Sequence, residues 1–123
     1  MTFQQTDALA KTNRINMLFD FYEPLLTEKQ QTFLKYYFHD DYTLSEIAGE
    51  FDISRQAVYE HIKRAESALE DYESKLGLLV KHEAAEQWLE KLTNCANELA
   101  GSDTLLRTEL LRIADGLREG ERD

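Results

Sequence analysis

The sequence contains little that would interrupt a helix or cross-link the chain. It has one proline, Pro24, and five glycines in 123 residues, while residues that favour helices, such as leucine, glutamate and alanine, are abundant. The single cysteine, Cys95, excludes an intramolecular disulfide, and its place on an apolar stripe predicts that it acts as a small hydrophobic side chain. We therefore expect an all-α protein that is held together by packing.

The sequence also lacks the features of export and of membrane insertion. Its apolar runs fall well short of the roughly 18 residues that a membrane-spanning helix needs. The amino terminus has no basic stretch followed by an apolar one, which a signal peptide requires. We expect a cytoplasmic protein without a membrane span.

Residue patterns typical of catalysis are missing as well. There is no glycine-rich phosphate loop and no recognisable triad of nucleophile, base and orienting group. The adjacent His39, Asp40 and Asp41 cannot all converge on one metal ion, and no second histidine or cysteine cluster completes a site. We interpret these three residues as a polar loop, and we expect no enzymatic activity, no metal and no cofactor.

The charge is strongly acidic and unevenly distributed. The formal net charge is −10, and residues 1–65 carry −3 of it, whereas residues 66–123 carry −7. Phosphate contacts supply most of the non-specific affinity of proteins for nucleic acids, so this balance opposes binding by the chain as a whole. Any nucleic-acid site is therefore expected in the first half.

Helical periodicity and capping residues predict the first two helices. A helix from about Lys11 to Tyr22 should end before Pro24, and its Met17 and Phe21 lie off the main stripe, where C-terminal helices or a second copy of the chain would cover them. Thr27 and Gln30 form a capping box that should open a helix to about His39. The apolar faces of these two helices contain Ile15, Leu18, Phe19, Tyr22, Phe33, Leu34, Tyr37 and Phe38.

A helix-turn-helix is predicted from Thr43 to Arg64. Thr43 and Glu46 repeat the capping-box pattern, and Ser54 can cap a second helix that runs to about Leu76. Asp52 lies between the two helices and tolerates the left-handed backbone that such a turn often needs. The residues expected to face inward are Leu44, Ile47, Ala48, Phe51, Ile53, Ala57, Val58, Ile62, Ala65 and Leu69.

Two more helices are predicted after Gly77. One should run from about Leu78 to Leu99 and the other should follow a cap at Ser102 or Asp103, with Gly101 between them. We expect a single all-helical domain over residues 1–123, with the helix-turn-helix portion at 27–76 and a C-terminal extension at 78–118. The apolar stripes of the extension are Ala85, Trp88, Leu89, Leu92, Cys95, Ala96 and Leu99, then Leu106, Leu110, Ile113, Ala114 and Leu117.

The outward face of the second motif helix carries the candidate DNA-binding residues. An arginine can bond guanine with two hydrogen bonds and a glutamine can pair with adenine, while tyrosine, lysine and a second arginine can reach phosphates. The alternative is a solvated helix face with pairs such as Glu60 and Arg64. The candidates are Ser54, Arg55, Gln56, Tyr59, Lys63 and Arg64.

These residues resemble two nested families. Glu46-Ile-Ala48 and the stretch from Ser54 to Ala65 resemble the sigma-factor region 4 type of helix-turn-helix, with Asp52 replacing the usual turn glycine and Glu60 adding an acid to the outward face. The sequence also resembles the YlxM family. The stretches that carry this resemblance are Arg14–Tyr22, Leu26–Gln30, Tyr36–Tyr37 with Asp40–Leu44, Ser54–Tyr59 and Glu73–Leu76. That group comprises small helix-turn-helix proteins of Gram-positive bacteria associated with the signal recognition particle pathway.

The resemblance and the motif lead to two functional hypotheses. The first is a regulatory protein that binds duplex DNA, with a homodimer placing two helices on neighbouring half-sites. The second keeps the fold but makes it an interaction module for the protein or RNA of the signal recognition particle, through the acidic half of the chain.

Overall fold

The computed structural model describes the backbone of residues 3–99 and 104–122, and the side chains of residues 7–99 and 104–120. Within these ranges all regular structure is helical, which confirms the predicted all-α class. Two compact units are formed by Met1–Leu79 and Val80–Asp123. The α-helices are α1 (Phe3–Tyr22), α2 (Glu28–Leu34), α3 (Leu44–Phe51), α4 (Arg55–Leu76), α5 (Leu78–Glu98) and α6 (Thr104–Arg122).

The core of the first unit is formed where α1 packs against α4. The predicted apolar face of α1 is buried, and α1 ends where a short 3-10 turn (Glu23–Leu25) contains Pro24. The helix begins eight residues before the predicted start. Its first turns contribute little to the core, since Leu9 is 57% exposed, and they therefore lack the apolar periodicity from which a helix is predicted. The buried residues of this cluster are Ile15, Leu18, Phe19, Tyr22, Leu26, Leu34, Ala65, Leu69 and Leu79.

The helix that begins at Glu28 changes its winding after Leu34. The predicted capping box is present, and residues Lys35–His39 then form a π-helical turn in which the Asp40 amide donates to the Lys35 carbonyl at 3.0 Å. A π-turn holds more residues than an α-turn and so shifts the directions of its side chains. Phe33 and Leu34 are buried as predicted, whereas the prediction for Tyr37 is wrong, because its side chain is 36% exposed.

A buried carboxylate stabilises the turn between α4 and α5. Glu73 is 6% exposed, and its Oε1 accepts hydrogen bonds from the Tyr22 hydroxyl at 2.6 Å and from the Leu79 amide at 3.0 Å. The Leu78 amide donates to the Tyr22 oxygen at 3.1 Å, and Gly77 takes the left-handed conformation that ends α4. Burial and the bond to Glu73 raise the pKa of Tyr22.

The second unit contains most of α5 and the whole of α6. Leu89, Ala96 and Ala114 are buried in it. Trp88 of the predicted apolar stripe does not belong to this core, because its side chain is 69% exposed, and the single cysteine is exposed too. The predicted break at Gly101 and the cap at Ser102 or Asp103 lie outside the described residues.

Two features of other protein classes are absent from the described residues. None of their helices is long and apolar enough to cross a membrane. In the same part of the chain, no group of three or more histidine, cysteine, aspartate and glutamate side chains is arranged to hold a metal ion.

Candidate nucleic-acid interface

The helix-turn-helix is formed by α3 and α4, and its ends are capped as the sequence predicts. Thr43 and Glu46 exchange both bonds of the capping box at 3.1 Å. Asp52 adopts the left-handed conformation, with φ 56° and ψ 48°. Ser54 then accepts from the Ala57 amide at 3.0 Å, so the first turn of α4 begins on a satisfied cap.

A compact core fixes the angle between the two motif helices. Phe33 of α2 lies at its centre, with ring centroids 4.9 Å from both Phe51 and His61. Phe51 was expected to face inward, but it is the last residue of α3 and its side chain is 38% exposed. Burial lowers the pKa of His61, and the nearby positive charges of Lys29 and Arg64 lower it further. The other buried members are Ile47, Ala48, Val58 and Ile62, while Leu44 and Ile53 are partly buried against them.

Five of the six residues predicted to contact DNA are exposed on the opposite side of α4. Ser54, Arg55, Gln56 and Arg64 are exposed, and Tyr59 is 45% exposed. They follow one another along the first three turns of the helix, on the face away from the core cluster. Side chains in this position can meet a partner without disturbing the fold.

Glu60 organises part of this face. Its carboxylate accepts from the Gln56 amide nitrogen at 3.4 Å, and its backbone carbonyl accepts from Arg64 Nε at the same distance. Both contacts are long and exposed, so a stronger external partner can replace them at small cost. Glu60 therefore orients its neighbours without blocking them.

Lys63 differs from the other candidates because it is half-buried and ion-paired. Its Nζ lies 3.4 Å from Glu66 Oε2 and 5.4 Å from the centre of the Tyr59 ring. Glu66 is 8% exposed, and its other oxygen lies 3.4 Å from Lys11 Nζ on α1. The structure thus joins α1 to the candidate interface through one carboxylate.

Lys11 and Glu66 were not among the residues selected from the sequence. The i, i+3 spacing of Lys63 and Glu66 could have indicated their pairing. Nothing in the sequence pattern indicates Lys11, since it is 52 residues from Lys63 and only the packing of α1 on α4 brings the two together.

Comparison with known proteins identifies the family. Residues 9–108 match the family UPF0122, described as "Putative helix-turn-helix protein, YlxM / p13 like". The chain belongs to this family. A UPF0122 protein of Halalkalibacterium halodurans is 52% identical over 98 residues, which cover 80% of this chain and 90% of that protein.

Other relatives carry the same family name. A UPF0122 protein of Listeria innocua is 55% identical over 82 residues, covering 67% of this chain and 74% of the relative. One from Lacticaseibacillus casei is 47% identical over 107 residues, which cover 87% of this chain and 95% of the relative. The resemblance to the YlxM family is confirmed. The description of UPF0122 names a helix-turn-helix and no enzymatic activity.

Proposed function

We propose that this UPF0122 protein is a cytoplasmic regulator that binds duplex DNA, with the amino-terminal turns of α4 in the major groove. The observation that carries the proposal is the exposed row from Ser54 to Arg64 on a helix whose opposite face is locked into the motif core. A helix presented in this way has the size and chemistry that the major groove accepts.

Local charge supports this proposal despite the acidic total. Residues 54–64 contain three basic side chains and one acidic one, and among the described residues only Lys63 of the three is paired with a carboxylate outside this range, that of Glu66, although the whole chain carries −10. Electrostatic attraction to DNA is screened beyond about 10 Å at 0.1 M salt, so the nearest charges dominate. Acidic side chains far from the interface therefore weaken non-specific binding more than they weaken the contact of α4 with the groove.

Duplex binding by the whole chain tests the proposal, with Arg55→Ala as the decisive variant. If Arg55 contacts a base, its loss costs about 1 to 3 kcal/mol on a selected genomic fragment and relaxes the preference for that base. Fluorescence anisotropy over a range of salt concentrations measures both the affinity and the salt dependence.

The matched control is Arg112→Ala, which removes the same charge from an exposed site on α6. It should leave the affinity nearly unchanged. Failure of the unmodified protein to bind any genomic duplex, or equal losses in the two variants, would contradict the proposed groove contact.

We also infer that two copies pair through α6. Its apolar residues Leu106, Leu110, Ile113 and Leu117 are spaced by four, three and four positions, which is the spacing of a two-helix seam. Three of the four are 46% to 56% exposed. A second copy offers an identical seam, and a two-fold pair would suit neighbouring DNA half-sites.

Charge substitutions on α6 test this pairing. Leu117→Glu should lower the average mass measured by light scattering over a series of protein concentrations towards that of the single chain, because it places a carboxylate in the seam. Leu105→Glu is the matched control, since Leu105 lies off the seam and is 88% exposed. A monomeric unmodified protein, or equal masses for both variants, would reject the arrangement.

A second candidate function rests on the −7 charge of residues 66–123. Such a surface favours a basic partner, as in an interaction module of the signal recognition particle. Capture of the particle's protein or RNA by the immobilised chain, with binding unaffected by Arg55→Ala, would favour this candidate over the first.

A further inference from the structure

Two lysines from different helices meet at one buried carboxylate beside the candidate interface. Lys11 of α1 and Lys63 of α4 each lie 3.4 Å from a separate oxygen of Glu66. The lysine side chains remain 53% and 43% exposed, whereas the glutamate side chain is 11% exposed. The carboxylate therefore lies beneath two ammonium groups that still face solvent, and the cluster keeps one positive charge in excess.

This arrangement reduces the entropy lost when an anion binds. A free lysine side chain loses up to about 2 kcal/mol of conformational entropy when it is fixed. Here Glu66 already restrains both lysines, and Lys63 also lies 5.4 Å from the centre of the Tyr59 ring. Preorganised groups bind more tightly because less of this entropy is lost on association.

If Arg55 contacts base edges as proposed, the two lysines come close to the DNA backbone. Lys63 is eight residues after Arg55, which places it about 12 Å further along α4. The major groove is about 12 Å wide, so a helix with Arg55 over base edges brings Lys63 near the phosphates at the groove margin. A cleft of about 180 Å³ opens at this point, and Lys11, Thr12, Tyr37, Tyr59 and Lys63 contribute to its lining.

We infer that Lys11 and Lys63 together form a clamp for a phosphate diester of the DNA backbone, so that α1 is part of the interface. The inference rests on the proposed function and adds to it a contact that is independent of base sequence. Lys11 supplies the contact from outside the helix-turn-helix, and Glu66 acts as a positioning residue for both ammonium groups.

Lys11→Gln is the test, with Lys75→Gln as the matched control. Both remove one positive charge, but Lys75 lies near the far end of α4 and pairs with Asp71 at 3.0 Å. Loss of one phosphate contact should lower the slope of log affinity against log salt by about 1 and weaken binding about five- to tenfold at 0.1 M salt. Lys11→Arg should retain most of the affinity.

The pattern across DNA sequences separates this inference from the proposed function. Lys11→Gln should weaken binding to selected and to random duplexes by the same factor, while Arg55→Ala should affect mainly the selected one. Equal effects of Lys11→Gln and Lys75→Gln would overturn the clamp and leave the groove contact in place. Absence of any duplex binding by the unmodified protein would overturn both.

Discussion

Phe33→Ala is expected to lower the free energy of unfolding by about 3 to 5 kcal/mol, the usual cost of removing a buried phenylalanine. Phe33 is 1% exposed and contacts the rings of Phe51 and His61, so its loss leaves a cavity between α2, α3 and α4. Because small domains are stable by only about 5 to 15 kcal/mol, denaturant unfolding followed by circular dichroism would detect this change easily.

Tyr37→Ala is the matched control for this core substitution. Tyr37 lies four residues after Phe33 and also carries an aromatic ring, but its side chain is 36% exposed. Truncating a partly exposed ring removes less buried apolar surface and leaves no closed cavity, so the loss of unfolding free energy should be far smaller.

The titration of His61 gives an independent readout of the same change. Burial lowers its pKa in the unmodified protein, so removal of the ring stacked on it should raise that pKa towards its ordinary value. NMR titration of the histidine ring protons measures this shift. If the Phe33 and Tyr37 variants had similar free energies of unfolding and the pKa of His61 did not change, the central place of Phe33 in the motif core would be contradicted.

Glu73→Ala is expected to lower the free energy of unfolding by about 3 kcal/mol, because it leaves two buried hydrogen-bond donors without their acceptor. The Tyr22 hydroxyl and the Leu79 amide both donate to Glu73 Oε1. The side chain also fills space under the turn that Gly77 forms between α4 and α5. Thermal and denaturant unfolding measure the loss, and Glu73→Gln should recover part of it by restoring an acceptor.

Glu70→Ala is the matched control on the same helix. Glu70 pairs with Arg14 at 2.8 Å, but both side chains are nearly half exposed, and an exposed ion pair contributes at most about 1 kcal/mol. The hydrogen bond and charge of Arg14 lower the pKa of Glu70, so even this small contribution is lost as the pH falls through that lowered pKa. Equal losses for the two variants would contradict the importance of burial at Glu73.

The parts of the fold that depend on local chemistry could be predicted from the sequence. The capping boxes at Thr27 and Thr43, the cap at Ser54 and the left-handed Asp52 each depend on residues within a few positions of one another. The faces of α1 and α4 follow from helical periodicity, which is also local. Together these local signals were sufficient to place the helix-turn-helix.

The parts that depend on tertiary packing could not be predicted in the same way. Tyr37 faces outward because it lies within a π-turn, and periodicity assumes an uninterrupted α-helix. Trp88 has the spacing of a core residue, yet it is exposed in the structure. Lys11 joins the candidate site only because α1 packs along α4, which no residue near Lys11 in the sequence indicates.

The apolar seam on α6 is short. From Leu106 to Leu117 it extends about 16 Å, less than two heptads, and so short a helical pair is marginal by itself. Two copies meeting through it would exchange between free and associated forms as the amount of protein changes. If the chain binds duplex DNA as proposed, occupancy of a duplex with two half-sites would then rise more steeply than in proportion to protein concentration.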